Sequence, residues 1–383
     1  MSSFLLRTLP ATTEEMLGVF DDASTLRHAL AFEAALAQAQ AAVQVIDAHS
    51  AQAIATVCGA FTTDILRFAE SVALAGTLAI PLVRALRAQL TDTAAGALHR
   101  GATSQDLADT VLMLQIKEAS ALLGADHARI VTALTLSATR FAALPAVGRT
   151  LLQDARPIGF GLRIAQWTHG IREAARDFER TIAANANVQL GGAAGTRADL
   201  HGRGSAITAD LAQRLQLNPS PPWHARRGGI AAIAASLAIC IGALGKMARD
   251  VSLLAQNRLG EALEQQIEGR GGSSAMPHKR NPTGCQVALS AAARAPGLVA
   301  SALTGLPCEL ERGLGGWQAE GPVLAELCLL AAGSARAMAA VAESLLVMDA
   351  VISRNLAESD LGDDIGESAQ IVADLLDRPR GPN

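Results

Sequence analysis

The chain has 383 residues, 32 basic and 36 acidic side chains, 50% apolar content and few aromatics, eight Phe and three Trp with no Tyr. The length allows two or three domains around a large core, while a net charge of -4 and so few rings supply neither the positive field nor the stacking surface of a nucleic-acid binder. With 18% charged residues the chain is not disordered. Its five Cys, at 58, 240, 285, 308 and 328, are odd in number and form no C-x-x-C pair, so they read as reduced thiols of a cytoplasmic protein rather than as disulfides or zinc ligands.

In chain order, the N-terminal MSSFLLRTLPATTEEM places Arg7 and two Glu where an export signal needs an apolar run. Beyond it, Ala-rich segments of helical period follow one another and alternating Val, Ile and Thr are almost absent, which predicts an all-α protein. Long helices are expected over Ser24 to Asp47, Gln105 to Leu144, Pro157 to Ala186, Gly229 to Leu259, Thr283 to Leu303 and Pro322 to Met348. The mean hydropathy of +0.25 and the uncharged run from Gly228 to Gly245 raise the question of a membrane. That run is mostly Ala and Gly, with four Ile and two Leu, and reads as a buried helix of a soluble protein rather than a span. Ala-rich helices with few charges pack well when most of their circumference is covered, so an oligomer is expected.

The breaks between helices carry the chemistry. HRGATSQD, His99 to Asp106, pairs Thr103 with Asp106 as a capping box for the next helix, and its amides and the hydroxyls of Thr103 and Ser104 suit a carboxylate. GRTLLQDARP, Gly148 to Pro157, is a polar break with Gln153 as a neutral donor. GRGGSSAMPHKRNPTG, Gly269 to Gly284, reads as a mobile polar loop in which Asn281 and Pro282 fit the N-cap and first position of a helix. That helix points its positive end at Ser273, Ser274 and Lys279, where a serine hydroxyl can exchange a proton with a carbanion. The glycines of QLGGAAGT lack the spacing of a dinucleotide loop, and no His pair, G-x-S-x-G elbow or P-loop occurs. Neither a metal nor a cofactor is expected.

Taken together, these three breaks resemble the fumarase/aspartase superfamily. GSSAMPHKRNP, Gly272 to Pro282, is similar to its G-S-S-x-M-P-x-K-x-N-P signature, and HRGATSQD and GRTLLQDARP resemble its first and second motifs. Within it the resemblance runs to the bacterial 3-carboxy-cis,cis-muconate cycloisomerase family, through FEAALAQA from Phe32, AIPLVRAL from Ala79, PPWHARR from Pro221 and LERGLGGWQAE from Leu310. It implies three domains: an N-terminal one over 1–104, a central helix bundle over 105–350 and a shortened C-terminal segment over 351–383. It also implies a homotetramer with active sites shared between subunits, acting on a small polycarboxylate. The roles it implies are catalysis by Ser274 and Lys279, and substrate binding by His99, Thr103, Ser104, Gln153, Ser273, Met276, Asn281 and Arg312.

Superfamily lyases that expel an amine carry a His after the Thr of the second motif, where this chain has Leu151. Leucine is no general acid, whereas lactonisation uses the substrate's own carboxylate as nucleophile and needs one proton donor to carbon. An adenylosuccinate-type lyase, a cycloisomerase for a sulfonated muconate, and a non-enzymatic relative are the alternatives. The sequence departs from the resemblance at Asp154, where His is common, at Gly228, where an acid is common, and at Leu310, where His is frequent. A carboxylate at Asp154 beside an anion site calls for a partner such as Arg149 or Arg156.

Overall fold

The structure is a computed structural model and describes residues 5–265, 271–272, 276 and 279–377. Its organising element is a 37-residue helix, α3 (Ser104–Arg140), about 55 Å long at 1.5 Å per residue. Two shorter helices precede it that matter for the site, α1 (Asp22–Ala42) and α2 (Ala79–Arg87). Between Gln105 and Ile116 every residue of α3 except Ala108 is buried, so its first turns are covered on nearly all sides. Farther along, Ala119, Leu123, His127, Ile130, Leu134 and Ala138 recur at helical spacing and only one stripe is covered.

The enclosure comes from a bundle. α4 (Phe160–Asn185) and α7 (Gly316–Glu343) pack on α3, α5 (Gly228–Leu254) packs on α4 and α7, and α6 (Thr283–Thr304) lies on α5 and α7. Gly161, in the first turn of α4, is needed for the closest of these approaches: a Cβ there would stand 2.2 Å from the Ala138 carbonyl oxygen. The uncharged run from Gly228 forms most of α5 and buries Ile230, Ile233, Leu237, Ile241 and Leu244. By length and composition α5, α6 and α7 could each cross a membrane. In α5 and α7, 56% and 67% of the most apolar stretch is buried within the chain, against 22% in α6.

The all-α expectation holds, with two small ribbons added. β1 (Pro145–Thr150) and β2 (Gln153–Gly159) form an antiparallel hairpin, and Ala262–Leu263 pairs with Leu346–Val347. The hairpin corrects the expected helix ends. α3 stops at Arg140 instead of Leu144, and α4 begins at Phe160, not Pro157, because Pro157 lies in β2 opposite Val147. α7 begins six residues before the expected Pro322 and carries that proline inside, while Asp22–Ala42 and Gly228–Leu254 end about a turn early.

A buried charge triad fixes the α3, α5 and α7 ends. Arg227, immediately before α5, donates from Nη1 and Nη2 to Asp109 of α3 at 2.9 and 2.8 Å, and from Nε to both Glu320 oxygens of α7 at 3.1 Å. Its guanidinium lies 4.7 Å from the Trp223 ring centroid. All three charged side chains are buried. Burial opposes the Arg227 charge, and the bonds to Glu320 and Asp109 more than offset it, so the group stays cationic. For Glu320 burial dominates and raises the carboxyl pKa despite Arg227. Removing one member strands a buried charge. Asp109→Ala is expected to cost about 3–5 kcal/mol, read as a lower midpoint in chemical denaturation. Asp109→Asn, which keeps the hydrogen-bond acceptor, should lose less.

Candidate functional site

One helical turn before Asp109, Asp106 is fully buried and accepts four hydrogen bonds. Its Oδ2 takes the N–H groups of Thr103 and Gly192, both at 2.9 Å. Its Oδ1 takes the Gly191 N–H at 2.9 Å and His224 Nε2 at 2.8 Å. Asp106 thus supplies the carboxylate half of the expected capping box and also clamps the segment at Gly191–Gly192. Gly191 has to be glycine, because a Cβ would come within 2.5 Å of the His224 ring.

Arg312 bridges the same parts. Its Nη1 donates to Thr103 Oγ1 at 3.1 Å and its Nη2 to the carbonyls of Gly192 and Ala193 at 3.3 and 2.6 Å. Next to Thr103 opens a cleft of about 490 Å³ lined by Arg84 and Arg87 of α2, His99, Thr103 and Ser104, with Ala79, Ile80, Val83 and Ala102 as its apolar wall. His99 sits in a left-handed conformation, φ +59°, and its Nδ1 lies 2.6 Å from Oε1 of the buried Glu33 on α1. Burial alone depresses the His99 pKa; the Glu33 charge and hydrogen bond outweigh it, and the net shift is upward. Two Arg side chains, a His paired with a buried carboxylate and two hydroxyls on one cleft suit a carboxylate ligand.

Of the expected site residues, His99, Thr103, Ser104 and Arg312 are therefore brought together. Ser273 and Ser274 lie outside the described residues. Met276 and Lys279 are exposed and Asn281 is half-buried, and the main chain joins them locally, Lys279 N–H to Met276 O and Asn281 N–H to Gly271 O, each at 3.0 Å. Gly271, at φ +72°, would place a Cβ 2.6 Å from the Asn281 oxygen, so the stem admits no larger residue.

Two expectations for this loop are corrected. The helix begins at Thr283 with Pro282 in the capping position, so Asn281 is not its N-cap. Its first amides do not face a ligand either: Gly284 N–H and Cys285 N–H donate to Oε2 and Oε1 of Glu264 at 3.1 and 2.8 Å. The protein's own carboxylate already complements the positive end of α6.

The second motif is a hairpin, not a polar lead into a helix. Arg149 in β1 donates to both oxygens of buried Glu261 at 3.0 and 2.8 Å and lies 3.2 Å from Asp154 in β2, so Asp154 has the partner its chemistry calls for. The turn is Leu151–Leu152, at φ +53° and +64°, with the two side chains 96% and 74% exposed. Gln153 is exposed beside them. No described residue of the hairpin or of the 271–281 segment lines the cleft at Thr103. Gly228 has open space around its Cβ direction and Leu310 is exposed at φ +47°, so neither departure disturbs the interior.

Sequence reasoning missed Glu33, Arg84, Arg87 and His224. Glu33 carried a signal, an acid inside the apolar stripe FEAALAQA, and His224 carried none that spacing could read. Among the described residues no group of three or more His, Cys, Asp or Glu could hold a metal ion.

Glu264→Ala is expected to leave two amides of α6 unpaired and lower stability by about 1–2 kcal/mol, measurable as a fall in denaturation midpoint that Glu264→Gln partly restores.

The Lyase family profile matches residues 8–297. The chain is 43% identical over 345 residues to the 3-carboxy-cis,cis-muconate cycloisomerase of Bradyrhizobium diazoefficiens, covering 89% of this chain and 76% of that protein. It is 42% identical over 348 residues to the Pseudomonas aeruginosa enzyme of the same name, covering 89% and 75%. The crystal structure of the 3-carboxy-cis,cis-muconate lactonizing enzyme of Pseudomonas putida superposes with a TM-score of 0.86 at 35% identity, over 97% of this chain and 86% of that one. Motifs, bundle and relatives agree, and the chain belongs to the Lyase family of the fumarase/aspartase superfamily.

Proposed function

We propose that this protein is a cycloisomerase that closes 3-carboxy-cis,cis-muconate to 4-carboxymuconolactone, a step of the protocatechuate branch of the β-ketoadipate pathway. The observation that carries the reading is Leu151: the position from which an amine-expelling lyase draws its acid holds an apolar side chain at a hairpin tip, among relatives named for the lactonisation.

In this reading an oxygen of one substrate carboxylate adds to the double bond within the same molecule and a C–O bond forms. The displaced π pair moves to the neighbouring carbon and is delocalised into a second carboxylate. Ser274 gives its hydroxyl proton to that carbon and recovers one from solvent. Lys279 offsets the growing charge, and His99, Thr103, Ser104 and Arg312 hold the carboxylates, with Gln153, Ser273, Met276 and Asn281 completing the site. The positive end of α6 takes no part, since Glu264 occupies it.

No described residue of the hairpin or of the signature segment lines the cleft in one chain, which supports an assembly in which copies complete each other's sites. We assign a homotetramer, working in the cytoplasm, whose core covers α6. The ion pair between Arg294 of α6 and Glu326 of α7 supports protein rather than lipid against that face, because charges inside a bilayer are costly. The five cysteines, all free, accord with a reducing compartment.

The test mixes the protein with 3-carboxymuconate and follows the conjugated-diene absorbance. Loss of absorbance with no ammonia or fumarate released is expected. Activity confined to a succinyl-amine adduct would overturn the reading in favour of a lyase, and activity confined to a sulfonated muconate would reassign the substrate. Ser274→Ala is expected to lower kcat by about 10²–10⁴-fold with substrate affinity retained; near-normal turnover would remove Ser274 from the mechanism.

A further inference from the structure

We propose that Glu33 is a positioning residue that keeps His99 an imidazolium and turns its free edge toward the cleft, where it takes a carboxylate of the substrate. The proposal rests on the reading of that cleft as the place of a substrate carboxylate.

The Glu33 carboxyl is fully enclosed, and its Oε2 has no hydrogen-bond partner among the described residues. His99 Nδ1, 2.6 Å from Oε1, is thus the donor that answers a buried anion, and a carboxylate can only accept. Nε2 makes no hydrogen bond among the described residues, and the ring lines the cleft. The backbone holds the ring in place: His99 at φ +59° and Gly101 at φ +68° form a turn closed by Ala102 N–H on the His99 carbonyl at 3.2 Å. A left-handed backbone is uncommon for a residue with a Cβ, which fits a ring fixed for a purpose.

Each charged or titratable group facing the pair has a sign. Asp106, from α3, favours the cation, while Arg87 of α2 opposes it, as does Arg84 across the cleft. The Cys58 thiol, pushed up to about 12 by burial and by Glu33, stays neutral. Burial lowers the His99 pKa, Glu33 outweighs it, and the folded value lies above the ordinary one. The pair's contribution is therefore complete below about pH 6.5 and is lost as pH rises through the folded value. Anion affinity should follow the same course.

The test uses the full chain and tricarballylate as the probe. The His99 ring is followed by NMR with labelled histidine, assigned through His99→Gln, and the tricarballylate Kd is measured from pH 5.5 to 9. In Glu33→Gln the His99 midpoint should fall by at least about one unit, with about tenfold weaker binding near pH 7 and the decline in affinity moved to lower pH in step. Glu33→Asp should give intermediate values, and it carries the test if the Gln variant does not fold. An unchanged His99 midpoint overturns the proposal. So does a lowered midpoint with an unchanged affinity profile. Wild-type protein that shows the pH-linked binding but leaves 3-carboxymuconate unchanged would sink the functional reading alone and leave the Glu33–His99 coupling standing.

Discussion

Two carboxylates three residues apart, Asp106 and Asp109, stand buried in the first turns of α3, and a buried anion has to be answered by donors. Asp106 is answered by main-chain N–H groups and His224, and Asp109 by Arg227 and Gln189. Those donors come from segments that are distant in sequence, the turn at Thr103, the strip at Gly191–Gly192 and the approach to α5, so satisfying two charges also fixes their relative positions. Arg227 then recruits Glu320 and brings in α7. Arg312, placed by Thr103 and the carbonyls of Gly192 and Ala193, is held by the same framework.

The electrostatics divide cleanly. Near the bundle axis the charges are paired and dry, and their value lies in uniqueness of packing, because a wrong register would strand one of them. At the cleft, by contrast, cationic groups converge with few acids, and the acid that is present, Glu33, is withdrawn behind His99. The near absence of aromatics fits this arrangement: a small aliphatic polyanion offers no ring for stacking, and charge with hydroxyls can hold it.

The helices were legible because Ala-rich composition and helical spacing act locally. Thr283–Thr304 matched its expected span within a residue, and all six expected segments form helices. The Arg149–Asp154 pair was legible but the hairpin was not, since Leu–Leu is not a turn dipeptide that propensity would select and the carboxylate that also holds Arg149, Glu261, is more than a hundred residues away. The capping of α6 failed for a similar reason: Asn-Pro is a sound local N-cap signal, and Glu264, twenty residues upstream of Gly284, overrides it. Of the site, the motif at Thr103 could be read as a carboxylate-binding place, while Glu33 and Arg84 reach it only through the packing of α1 and α2.

The near-complete burial of the first turns of α3 has a consequence for how the molecule breathes. Amide protons of the buried residues from Asp109 to Ile116 are expected to exchange with solvent mainly when the bundle opens as a whole, whereas those beyond Ala119, on a helix wet along one flank, can exchange through smaller local excursions. One continuous helix is thus divided into a half that reports global opening and a half that reports fraying. The motif at Thr103 is attached to the slower half.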